Sequence, residues 1–196
     1  MKKVIGVTGG IASGKSNVLS VIRNLGYKVI DCDFITHELQ KIGMPIYNAI
    51  KDTFGIEYFN LDGSLNRSKL GNLIFHDEKS KNLLNSISHP IILAEVKKEI
   101  EISNEDIVFI DVPLLYESKF DSLCDKVICV YLDKEIQIKR LMERDGIDME
   151  YAKSKIQSQM DLVKKRELAD YIIDSKGTFD ETRCQVLKII EQIKGV

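Results

Sequence analysis

The stretch Gly9-Gly10-Ile11-Ala12-Ser13-Gly14-Lys15-Ser16 fits the pattern G-x-x-x-x-G-K-[ST]. Residues 4–8 before it form a short β-rich run, and residues 15–25 after it read as a helix. Strand, glycine-rich turn and helix are the setting in which this pattern binds phosphate. The glycines let the backbone curl and turn several N–H groups inward. The helix N-terminus adds its partial positive charge. Lys15 can reach the β- and γ-phosphates, and the Ser16 hydroxyl can ligate Mg²⁺. Residues Gly9, Gly10, Ile11, Ala12, Ser13, Gly14, Lys15, Ser16 and Asn17 are therefore the candidate nucleoside-triphosphate site.

Beyond this stretch, short apolar runs recur. Residues 27–31, Ile107–Asp111, 127–133 and Tyr171–Asp174 are rich in β-branched residues, and an acidic residue closes each one. Near-continuous apolar runs fit strands buried on both faces of a parallel sheet. In open α/β sheets the C-terminal ends of the strands are where ligands bind. Helical patterns fill the gaps at 15–25, 65–75, 78–88, 134–144 and 179–193. One more helix is expected from a cap at Asp148 through Lys165, with Ala152, Ile156, Met160 and Val163 as its apolar stripe. Pro90 is expected to kink or restart a helix that runs to about residue 102. The alternation predicts a doubly wound α/β fold.

Residues 40–100 show no clear strand and are too long for one crossover, so they predict a helical subdomain. Residues 139–160 begin with basic side chains and read as a lid. No repeat or linker divides the 196 residues, so a single domain is expected.

Composition excludes several classes. Lys plus Arg is 28 against 30 Asp plus Glu, a net charge of −2, which argues against a nucleic-acid binder. No apolar run reaches the roughly 18 residues of a membrane span, and the apolar start breaks into glycines too soon for a signal peptide. The four cysteines form no CxxC pair or zinc spacing. A cytoplasmic protein with reduced thiols is expected, without nucleic-acid or membrane partners, as a monomer or weak homo-oligomer.

Other residues carry chemistry by position. Asp111, after four apolar residues, can hold the Mg²⁺ shell directly or through water; the plain alternative is a turn cap. No Asn is followed by Lys, so the guanine-reading motif of GTPases is absent. Asp31 and Asp33 close the second strand. Asp33 can accept a proton from an attacking hydroxyl, while Asp31 can cap the next helix. Arg140 and Arg144 share one helix face, either as a solvated basic surface or as guanidiniums that close over a polyphosphate. His89 precedes Pro90 and is either a helix-end residue or a substrate contact.

Together these segments resemble the dephospho-coenzyme A kinase family. The resemblance rests on residues 7–16, Asp31-Cys32-Asp33, Gly63-Ser64-Leu65-Asn66-Arg67, His89-Pro90 and the run from Asp111 through Glu117. It continues through Gln137-x-x-Arg140-x-x-x-Arg144-Asp145, Ala152 through Gln159, and Ala169 through Asp174. It runs in order over essentially the whole chain. It implies a nucleoside-monophosphate-kinase-like parallel sheet of five strands, with a helical CoA-side subdomain and a lid. It also implies phosphorylation of the ribose 3′-hydroxyl of dephospho-CoA by ATP. Lys15, Asp33, Arg140 and Arg144 would be catalytic. Asp33, Arg67, His89, Asp111 and Glu117 would face the acceptor, and Ser16 and Asp111 the metal. Three positions depart from the family: Ala12 stands where Gly is common, Asn66 where Asp precedes Arg67, and Ser175 where Asn follows Ile-Asp. None removes a group the chemistry needs. The rivals are another small-molecule kinase on this fold and an ATP-binding regulator without transferase activity.

Overall fold

A computed structural model describes residues 2–195. The chain forms two compact units, one from the residues through Ile30 and from Ser103 onward, the other from Asp31–Ile102.

The first unit is built on strands β1 (Lys3–Gly9), β2 (Lys28–Asp31), β3 (Ile107–Asp111), β4 (Lys126–Tyr131) and β5 (Tyr171–Asp174). Their order in the sheet is β2-β3-β1-β4-β5, and β1 pairs in parallel with both β3 and β4, as β4 does with β5. After its first residue β1 is buried throughout, as a central parallel strand must be. Helix α1 (Lys15–Asn24) places Val18, Leu19, Val21 and Ile22 against Ile5, Val7 and Phe109 of the sheet. Helix α9 (Phe179–Lys194) adds Val186, Ile189, Ile190 and Ile193 to the same cluster. Each such side chain contributes about 1.5–3 kcal/mol by leaving water. Thr178 caps α9 in a full capping box with Glu181.

Two aspartates fasten the strand starts. Val4 N–H donates to Asp125 Oδ2 (2.7 Å), and Asp125 N–H donates back to Val4 C=O (2.8 Å). Asp170 does the same to Val127, with distances of 2.8 and 3.0 Å.

The helix expected from Asp148 through Lys165 is two helices, α7 (Met149–Gln157) and α8 (Leu162–Leu168). Asp148 caps α7 through Tyr151 N–H, but Asp161 starts a new helix by accepting from Val163 N–H. Ala152 is buried as expected, whereas Val163 is 49% exposed. Helix α6 (Lys134–Asp145) precedes them and ends at Gly146 in the left-handed conformation.

The second unit is helical, with α2 (Cys32–Leu39), α3 (Pro45–Phe54), α4 (Arg67–His76) and α5 (Glu78–Ile102). Asp31 caps α2 by accepting from Phe34 N–H. Asn66 caps α4 by accepting from Lys69 N–H. Helix α5 runs to Ile102 as expected and does not restart at Pro90. Pro90 lies inside one 25-residue helix. Proline removes one hydrogen bond, and a long helix packed on its neighbours tolerates that loss better than a short one. A lone antiparallel bridge, Phe59 to Leu65, interrupts the helices. Among the described residues no helix is long and apolar enough to cross a membrane.

Candidate active site

The glycine-rich loop leaves β1 and enters α1 at Gly14, whose φ of 85° is the left-handed conformation that glycine adopts freely. Helix α1 has no side-chain cap, so the N–H groups of its first turn remain for a ligand, except that of Asn17, which donates to Gly14 C=O. A Cβ on Gly10 would lie 2.5 Å from Gln137 Nε2, so a side chain there would displace the Gln137 amide. Ala12 adopts φ 58° without that freedom. Ser13 is fully buried, and its hydroxyl has no hydrogen-bond partner.

Beside the loop is a cavity of about 320 Å³, lined by Ala12, Gly14, Ser16, Asn17, Arg140 and Arg144 among others. Loop residues and both α6 arginines thus line one space. Arg140 Nη2 donates to Ser175 C=O (2.9 Å), which fixes its guanidinium beside the loop. Arg144 Nε donates to Asp145 Oδ1 (2.8 Å), and Lys155 approaches the same carboxylate at 3.0 Å. Those hydrogen bonds from Arg144 and Lys155 hold the Asp145 carboxyl down to about 2.

Lys15 is ion-paired with Asp111, and both side chains are largely buried. The end of β3 therefore sets the direction of the loop lysine. Glu117 accepts from Met160 N–H at 2.9 Å and pairs with Lys165, a lysine of α8 that the sequence reading passed over. Ser175 is buried, and its hydroxyl lies 2.6 Å from Ser13 C=O and 3.1 Å from Tyr131 C=O. With one proton to give, it serves the shorter contact, so this serine supports the loop from β5. A larger cavity of about 410 Å³ lies at the opposite ends of the strands, beside Lys3, Tyr27 and Ile107, and holds none of these groups.

In the helical unit, Asp33 and Arg67 line a cavity of about 260 Å³ together with His37, Gln40 and Gly71. Arg67 Nε donates to Gln40 Oε1 at 2.9 Å. Asp33 occupies the first turn of α2. His89 is outside that lining, half-buried on α5. Burial holds its imidazole below the usual value.

A parallel sheet ordered 2-3-1-4-5, a phosphate loop after its central strand and two arginines over that loop define a P-loop kinase. Shikimate kinase from Acinetobacter baumannii has the same fold, with a TM-score of 0.56 at 18% identity over 100% of this chain and 94% of that one. A sequence model described as dephospho-CoA kinase matches residues 3–181. The dephospho-CoA kinase of Carboxydothermus hydrogenoformans is 42% identical over 97% of this chain and 94% of its own. The solved dephospho-CoA kinase of Campylobacter jejuni superposes with a TM-score of 0.74 at 32% identity, covering 100% of this chain and 99% of that one. This chain belongs to the dephospho-CoA kinase family.

Proposed function

We propose that the protein transfers the γ-phosphoryl group of ATP to the ribose 3′-hydroxyl of dephospho-CoA, giving CoA and ADP in the last step of coenzyme A biosynthesis. The observation that carries this reading is the shared cavity of the phosphate loop, Arg140 and Arg144. Family membership supplies the acceptor.

The roles follow from charge and reach. The loop of residues 9–17 holds the phosphates through those of its N–H groups that are not spent within the fold and through the start of α1. Lys15, oriented by Asp111, and the two arginines stabilise the charge that spreads over the moving phosphoryl group. Asp33 accepts the 3′-hydroxyl proton as the oxygen–phosphorus bond forms and the bond to ADP breaks. Arg67, in the same cavity as Asp33, contacts the anionic acceptor, and His89 adds a hydrogen bond. Glu117 shapes the acceptor side through the segment it holds. Residues 40–100 act as the acceptor-binding subdomain and residues 139–160 as the lid of one kinase domain.

The residues fit Mg²⁺. The exposed Ser16 hydroxyl lines the loop cavity and the Asp111 carboxylate is next to Lys15, a hard-oxygen donor set suited to that ion. Bound there, Mg²⁺ would neutralise the β- and γ-oxygens.

The test mixes purified protein with Mg·ATP and dephospho-CoA, follows ADP release and weighs the product. ADP formed only with acceptor present, and one phosphate added to that acceptor, is the expected result. Nucleotide binding without transfer would refute the acceptor assignment.

A further inference from the structure

Both backbone polar groups of Ile11 are taken by glutamines from the arginine-bearing side of the site. Gln159 Oε1 accepts from Ile11 N–H at 3.0 Å. Gln137 Nε2 donates to Ile11 C=O at 2.7 Å. Two successive peptide planes, Gly10–Ile11 and Ile11–Ala12, are thereby fixed. Gly10 C=O then accepts from Ser13 N–H at 3.1 Å and closes the turn.

Peptide geometry makes this consequential. In a trans peptide the N–H points opposite to the C=O. By holding the Ile11 carbonyl, Gln137 turns the Ala12 N–H away from itself. Ser175, by holding the Ser13 carbonyl, does the same for Gly14 N–H. Ala12 and Gly14 both line the loop cavity. A non-glycine residue at φ 58° costs about 1–2 kcal/mol, and such a conformation persists only where its surroundings over-determine it. The two glutamines are those surroundings for Ala12.

The glutamines also tie the loop to elements that carry other parts of the site. Gln137 is 2% exposed and one turn before Arg140 on α6. Gln159 lies just past the end of α7. We propose that Gln137 and Gln159 are positioning residues for phosphoryl transfer. They lock the Ile11 peptides so that the Ala12 N–H meets the nucleotide phosphates, and Gln159 makes the lock depend on the seating of the segment after α7. This inference rests on the reading that the loop cavity takes ATP.

The experiment compares Gln159→Met, which removes the acceptor, with Gln159→Glu, which keeps it, and adds Gln137→Met. ADP affinity by calorimetry, melting temperature and steady-state kinetics are read for each. Both Met variants should bind ADP about tenfold more weakly and lose about tenfold in kcat/KM for ATP, the loss of roughly one hydrogen bond. KM for dephospho-CoA should stay within about twofold, and Gln159→Glu within about threefold of wild type in every reading. A purely structural hydrogen bond would lower the melting temperature and leave the balance between the two substrates unchanged. Wild-type ADP affinity in Gln159→Met would overturn the proposal, as would a Gln159→Glu variant as impaired as Gln159→Met. If Gln137→Met does not fold, the Gln159 pair decides. Wild-type protein that binds ADP but leaves dephospho-CoA unmodified would refute the function above, and the ADP arm would still test the glutamines.

Discussion

Lys165 Nζ lies 2.9 Å from Glu117 Oε1, and the lysine side chain has no exposed surface. The ammonium also donates to Pro113 C=O at 2.8 Å, a carbonyl that accepts from Thr8 Oγ1 as well. Helix α8 is thus pinned by one charge to the turn that follows β3.

The pair is asymmetric, which fixes the order of two mutational effects. Glu117→Gln would leave a fully buried ammonium without its counter-ion and should cost about 3 kcal/mol. That corresponds to a fall in Tm of roughly 6–12 °C for a chain of this size. Lys165→Met should cost less, because the Glu117 side chain is 24% exposed and water can solvate it. Thermal melts of the two variants check this; a larger loss for Lys165→Met would contradict the account.

The assigned acid–base and charge roles separate in kinetics. Asp33→Ala should lower kcat by about 10²–10⁴ while ATP affinity stays near wild type. Lys15→Ala should lower kcat by about 10²–10³ and weaken ATP binding as well. Near-normal turnover by Asp33→Ala would remove it as the base.

Ala12→Gly should stabilise the protein. Relief of the left-handed conformation is worth about 1–2 kcal/mol, and the added freedom of the unfolded chain takes back about half of that. The net is about 0.5–1 kcal/mol, or roughly 1–4 °C in Tm. A lower Tm would show that the methyl group makes contacts that outweigh the strain.

The thiols should differ sharply in reactivity. Burial pushes the Cys124 thiol up to about 12 and the Cys129 thiol to about 11, and Cys32 is buried. Cys184 is exposed. A disulfide reagent at pH 8 should label one thiol quickly and the other three only after denaturation. Raising the pH to 9.5 should still spare Cys124 and Cys129, since their thiolates remain a small minority there. A second fast thiol in the native protein would contradict these environments.

The strands were legible because each is an apolar run closed by an acid or a glycine, a signal that needs no tertiary context. The phosphate loop was legible because its spacing is fixed by backbone geometry. The break between α7 and α8 was not. Apolar spacing runs straight through Ala152, Ile156, Met160 and Val163, and the forces that end the helix are distant. Gln159 is drawn to Ile11 and Met160 N–H to Glu117. Lys165 was hidden for the same reason. It sits in the basic run Lys164-Lys165-Arg166, and only the fold reveals which of the three is buried. Ser175 reads as a mere departure from a family pattern until its hydroxyl is seen against Ser13.

The clasps at Asp125 and Asp170 give part of the family-like sequence a meaning unrelated to phosphate. Val4 and Asp125 are 121 residues apart, and Val127 and Asp170 are 43 apart, so these pairings close over long stretches of chain. A parallel strand displaced by two residues would keep its apolar faces inward, and hydrophobic burial alone would scarcely object. It would, however, lose both hydrogen bonds of its clasp. Asp170, set within the run Ala169 through Asp174, therefore fixes the phase of the sheet. In doing so it sets the height at which the strand ends, and every group they carry, come to rest.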